Sequence, residues 1–138
     1  MRTSVGIALY NEDSDEWEGV SGGNPLPVVV GLPRDFNTYV SKLEESNAQV
    51  KSTQGKLHSF SVYNNNAATQ WIQFHDAASA PANGAIPFLV FEVAAQTTLP
   101  IEFTHGKKFH NGIFVCTSST DTTKTTGVGD CLFNIDYE

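Results

Sequence analysis

A chain of 138 residues and 15.0 kDa has room for one hydrophobic core and, at about 100 to 200 residues per domain, reads as a single domain with space for an arm. Hydrophobic residues make up 40% and charged residues 17%, so the polar part is mostly uncharged Ser, Thr, Asn and Gln punctuated by 11 Gly, a globular composition that leans to β structure. The net charge of -7 repels phosphate backbones and anionic lipid heads, and no apolar run reaches the roughly 20 residues of a membrane span, which excludes nucleic acid and bilayer as direct partners.

The start, MRTSVGIALYNEDSDEWEG, lacks the apolar stretch and cleavage site of a signal peptide, so a soluble product made in a cytoplasm is expected. Val5, Ile7 and Leu9 can form one alternating strand, and the acidic run that follows reads as a solvated loop. Its Asp13, Asp15 and Glu18 invite calcium, but Glu16, Trp17 and Glu18 separate Asp15 from Gly19 and break EF-hand spacing. In GVSGGNPLPVVVGLP, Pro25 and Pro27 forbid a central strand, whereas Val28, Val29 and Val30 fit a short edge strand. Phe36, Val40 and Leu43 stand at helical spacing within 34–50, a weak helix signal among Asn and Ser residues. Residues 1–54 are therefore expected to be an irregular segment with an extended N-terminal arm, partly packed on the rest.

From Gly55 onward short apolar alternations recur at intervals of roughly 8 to 12 residues, the pattern of an all-β sandwich or barrel. LHSFSVY (57–63) and TQWIQFH (69–75), joined by NNNAA, read as a hairpin, with His58 on the face of Phe60 and Val62 and His75 opposite Ile72 and Phe74. PFLVFEV (87–93) is apolar enough for a strand buried on both faces, and LPIEF (99–103) alternates with Leu99, Ile101 and Phe103 on one side. THGKKFHNG then reads as a solvated hairpin whose Lys107, Lys108, His105 and His110 form the only basic patch. GIFVCTS (112–118) and CLFNIDYE (131–138) close the set, the last with Cys131, Phe133, Ile135 and Tyr137 on one face. If the polar segment between them is a symmetric hairpin, Cys116 faces Cys131 and Phe114 faces Phe133; the favoured reading is two buried free thiols, the alternative a cross-strand disulfide.

Chemistry is sparse. Glu102, His105 and His110 could ligate a divalent ion, but on a loop their spacing fixes no geometry, and a basic hairpin is the favoured reading. There is no G-x-S-x-G elbow, Cys-His signature or phosphate-cradling loop, and although Asp76 and Glu92 remain possible acid–base groups, an enzyme is not expected. Trp17, Trp71, Tyr10 and Tyr63 could stack on sugars, although Trp71 in a strand is better read as packing, while Trp17 amid charges suits an interface anchor.

The phrases VYNNNAAT, FHDAASAPANGAIP and FTHGKKFHNGIFV, with the Ser/Thr-rich segment before a final aromatic strand, resemble a small β-sandwich module of tailed-bacteriophage virion proteins over about the last 80 residues. GVSGGNPLPVVV resembles a linker at the front of phage decoration and tail proteins. The resemblance implies an antiparallel, jelly-roll-like β-sandwich core over 55–138 behind an arm over 1–54. It implies a non-enzymatic virion protein on the capsid exterior, a decoration or cement protein bridging major capsid protein subunits, without cofactor or metal, and a homo-oligomer with a trimer as the favoured state. The alternative is a tail, baseplate or fibre module that binds a host receptor or glycan. The expected contacts are Trp17, Pro25, Leu26, Pro27, Val28, Val29 and Val30 in the arm, and Lys107 and Lys108 for an electrostatic one.

Overall fold

A computed structural model of the chain describes residues 8–11, 16–19 and 36–138, and among these every regular element is a β-strand. The chain forms two compact units, Met1–Arg34 and Asp35–Glu138. In the first, β1 (Ala8–Asn11) and β2 (Glu16–Gly19) pair antiparallel with Tyr10 opposite Trp17, so part of the acidic run is strand rather than loop. The segment from Pro25 to Val30 lies outside the described residues, as do Val5 and Ile7.

The second unit holds β3 (Asn37–Val40), β4 (Asn47–Lys51), β5 (Gly55–Asn64), β6 (Gln70–Asp76), β7 (Leu89–Val93), β8 (Thr97–Phe109), β9 (Ile113–Ser118) and β10 (Cys131–Tyr137). β6 pairs with β7, β5 with β8, β4 with β9 and β3 with β10, which is one long hairpin of four strand pairs. Rolling that ribbon over itself adds the pairs β10–β5 and β9–β6. Two antiparallel sheets result, a first of order β3-β10-β5-β8 and a second of order β4-β9-β6-β7. This jelly-roll connectivity matches the expected all-β sandwich.

Period-two alternation supplies the core between the sheets. Phe133 and Ile135 on β10, Phe60 and Val62 on β5, Ile72 and Phe74 on β6, and Ile113 and Val115 on β9 all face inward and are buried. Each such side chain contributes about 1.5 to 3 kcal/mol by leaving water. The rings of Phe60, Phe74 and Phe91 meet with centroids 4.9 to 6.4 Å apart in tilted or edge-on geometry.

Several sequence expectations change once the sheets are known. The helix over 34–50 is absent, because NTYV pairs with β10 and NAQVK with β9, and sheet pairing outweighs a weak helix propensity. β5 and β6 are not a hairpin but lie in different sheets. The asparagines make the corner instead: Asn64 Oδ1 accepts from Asn66 N at 2.9 Å and Asn66 Oδ1 from Ala68 N at 2.8 Å, two Asx turns that carry the chain across the sandwich. PFLVFEV is not buried on both faces. β7 is an edge strand whose Leu89, Phe91 and Val93 face the core while Val90 faces out.

LPIEF and THGKKF form the single strand β8, with Leu99, Ile101 and Phe103 packed on the core as expected. Its register runs from Ser59 opposite Glu102 to Leu57 opposite Lys107, so residues 103–106 oppose His58 alone. Gly106, at φ 75°, supplies the left-handed step of this bulge. The bulge also turns His58 out of the Phe60 and Val62 face: its ring stacks on Phe36 at 4.2 Å and Nε2 lies 2.9 Å from Glu138 Oε2.

Cys116 and Cys131 do not face each other, because β9 and β10 belong to different sheets. Cys131 points into the core and Cys116 out of the second sheet, both as free thiols. The segment between them folds back over that outer face: Gln73 Nε2 donates to the carbonyls of Thr120 and Thr123 at 2.8 and 3.1 Å, and Lys124 N donates to Ala85 O at 2.8 Å. Phe114, Cys116, Gln73 and His75 are buried beneath it.

Candidate interaction surfaces

β5 runs from Gly55 at one end of the sandwich to Asn64 at the other, and the two ends differ in chemistry. At the Asn64 end stand four apolar side chains that a core would normally claim: Leu43 is 80% exposed, Val128 64%, Val40 56% and Leu132 38%. Val40 lies opposite Asn134, and Leu132 is two residues along β10 on the same outer face, so the two are diagonal neighbours at roughly 7 to 8 Å. Leu43 rides on the β3–β4 turn and Val128 on the segment entering β10, which the Glu45–Cys131 bridge brings together.

Both carriers are held firmly. Tyr39 Oη and Ser41 Oγ donate to Glu45 Oε1 at 2.6 and 2.5 Å, and Ser41 Oγ accepts from Phe133 N at 2.8 Å. Burial, and then the Glu45 carboxylate as acceptor and charge, push the Tyr39 phenol up to about 12. Val128 O accepts from Asp130 N at 3.0 Å and Thr117 Oγ1 at 3.3 Å, and Asp130 O accepts from Asn65 N at 3.0 Å. Apolar groups on a fixed backbone lose little freedom on docking.

The Gly55 end is basic. Lys56 on β5 stands opposite Lys108 on β8, and with Lys51, Gln54, Gly55 and Glu138 they line a depression of about 300 Å³. Lys107 behaves differently from its neighbour. It shares the inward side of Leu57, and its ammonium sits 5.0 Å above the Phe88 ring, which in turn meets Phe109 at 5.1 Å. Lys107 thus closes the seam between the β7 and β8 edges, an inward-pointing charge of the kind that blunts sheet edges, while Lys108 is exposed. Of the other expected contacts, Trp17 lies on β2 opposite Tyr10. Lys51, Lys56 and the four apolar residues of the Asn64 end were missed; Val40 and Leu43 had been visible as apolar, but were read as a helix face.

The outer face of the first sheet carries a second depression of about 430 Å³, lined by Ser59, Ser61, Pro100, Glu102, Asn134 and Asp136. Asp136 there accepts from Thr38 Oγ1 at 2.7 Å and Ser59 Oγ at 2.9 Å.

Of the groups weighed for chemistry, Asp76 is engaged by the backbone, and His75 lies beside Cys116. Burial alone would raise the Asp76 pKa, but the backbone N–H groups of Asn111, His110 and Gly112 hold it below the ordinary carboxylate value; Asn111 N donates at 2.7 Å, fastening the β8–β9 turn. His75 Nε2 and Cys116 Sγ are 3.7 Å apart, yet burial, with nearby Lys124, lowers the His75 pKa, and burial pushes the Cys116 thiol up to about 11. That pair is held neutral, the opposite of an activated thiolate–imidazolium. Among the described residues, no three His, Cys, Asp or Glu side chains stand together so as to hold a metal ion, Glu102, His105 and His110 included. No helix among them is long and apolar enough to cross a membrane.

No protein-family model, curated protein or solved structure matches the chain.

Proposed function

We propose that the chain is a non-enzymatic structural protein of a bacteriophage virion, a capsid decoration or cement protein that sits on the exterior and bridges major capsid protein subunits as a homo-oligomer, with a trimer as the favoured state. The observation that carries this reading is the fixed, exposed apolar cluster of Val40, Leu43, Val128 and Leu132 at one end of a jelly roll. Exposed apolar side chains gathered in one place mark contact surfaces, and their burial at a subunit joint is worth about 25 cal/mol per Å². Many weak contacts on one particle then act together. The phage phrases of the sequence supply the kind of particle, since a jelly roll alone serves many functions.

The test is re-addition of the purified protein to particles stripped of it, followed by sedimentation. The native chain is expected to co-sediment with the shell, and Leu43→Asp with Val128→Asp to lose that binding while unfolding at an unchanged urea concentration. Undiminished binding by the double variant would remove the apolar end from the contact, and absence of binding by the native chain would remove the decoration reading.

A tail or fibre module that binds a glycan is the second reading, favoured by the depression between Ser59, Ser61, Asn134, Asp136 and Glu102, whose hydroxyl, amide and carboxylate groups suit sugar hydroxyls. It predicts density at the tail rather than over the shell in cryo-electron microscopy of the particle.

A further inference from the structure

The basic end is the feature that neither the fold nor the apolar contact explains. Lys56 and Lys108 are directly opposed across two antiparallel strands, which sets their Cβ atoms about 5 Å apart on one face, and like charges in that position are destabilising. The inward registers of Leu57 with Lys107 and Gly55 with Phe109 put Lys56 and Lys108 on the outer face of the first sheet. Lys51 borders the same depression from the second sheet, on the other side of β5: a Cβ added to Gly55 would stand 2.9 Å from Lys51 Cδ and 3.3 Å from its Nζ, so the lysine stem lies across the glycine. On the other flank Lys56 exchanges two backbone hydrogen bonds of 2.9 Å with Glu138, whose carboxylate is engaged by His58. Three lysines and Glu138 border about 300 Å³ of open space, so the lysines outnumber the acidic side chain.

We propose that this depression binds a dianionic oxyanion of the phosphate or sulfate type, free or esterified. Lys56 and Lys108 are the principal ligands from the two strands, Lys51 closes the site over Gly55, and the anion relieves the repulsion that the strand register imposes. The net charge of -7 does not oppose this, because fields from distant carboxylates are screened beyond about 8 Å at physiological ionic strength while the three lysines act within contact range. The same net charge disfavours a long polyanion, which would have to lie against the acidic remainder of the surface. This site is independent of the virion reading and survives its failure.

The test is titration of the full chain with inorganic phosphate, sulfate and glycerol 1-phosphate near pH 7.5, with chloride keeping ionic strength constant, read by backbone amide chemical shifts and thermal unfolding. Saturable shifts confined to Lys51, Gly55, Lys56 and Lys108, with a dissociation constant raised tenfold or more in Lys56→Gln with Lys108→Gln, are expected. Without ligand that double variant should melt no lower than the native chain, because a like-charge pair has been relieved, and phosphate should no longer raise its melting temperature. Tighter binding of glycerol 1-phosphate than of phosphate would identify an esterified ligand, and equal binding a free anion. Shifts that grow linearly without saturating, that appear equally with acetate, or that persist unchanged in the double variant would overturn the proposal.

Discussion

Burial decides the chemistry of single residues in this protein more than their type does. Cys116 and Cys131 lie in different sheets, and burial pushes their thiols up to about 11 and about 12, in the second case with help from Asp130. Neither is a ready nucleophile, and they do not face each other for a disulfide. Both thiols are therefore expected to resist iodoacetamide at pH 8 in the folded chain and to react fully in denaturant, with the unfolding midpoint unchanged by a reductant; mass spectrometry of the alkylated protein checks this. The pH dependence follows in sign. Because the folded pKa values are raised, this contribution to stability is whole below about 9 and falls as pH climbs toward 11, where the unfolded chain ionises thiols that the folded chain keeps neutral.

Elements are placed here by their corners as much as by their strands. Asn64 is fully buried and donates to the carbonyls of Ala68, Val93 and Ala94 at 3.0, 3.1 and 3.2 Å, joining the β5–β6 corner to the β7–β8 corner. Removing that amide leaves buried carbonyls without a donor, at about 1 to 3 kcal/mol for each group left unpaired. Asn64→Ala should accordingly lose about 2 to 4 kcal/mol in urea unfolding, a loss in the range of a large-to-small core substitution. A loss under 1 kcal/mol would mean that water replaces the amide. By contrast, Asn65→Ala at the exposed neighbouring position should change stability by no more than about 0.5 kcal/mol.

At the scale of the molecule, the unit from Asp35 to Glu138 carries its own two-sheet core, and its ends are chemically distinct: apolar side chains beside Glu44, Glu45 and Asp130 at one end, lysines at the other. The chain with residues 1–34 removed is expected to keep the β-type circular dichroism and single cooperative urea transition of the whole. If the arm also grips a neighbour, as its Trp17 and Pro25 to Val30 suggest, the shortened chain should fail to co-sediment with stripped particles; full binding would confine the contact to the sandwich.

The sequence by itself determined the class of fold and most of the inward faces. Period-two alternation marked the first part of β8 and all of β10, and put Leu99, Ile101 and Phe103 on one side of the first and Phe133 and Ile135 on one face of the second, because a strand with one covered face must alternate. The tertiary structure decided what the pattern leaves open: which strands pair, which faces stay bare, and which charges meet. Asn residues that permit a hairpin turn equally permit a corner between sheets, and only the burial of the Asn64 amide among three carbonyls distinguishes the two. Val40 and Leu43 read as one face of a helix because of their spacing, yet Val40 ends an edge strand and Leu43 rides on the turn after it, where no second layer covers them. Lys56 and Lys108 are brought face to face by strand register, and Lys51 borders the same depression from the other sheet, a long-range relation that no local spacing encodes.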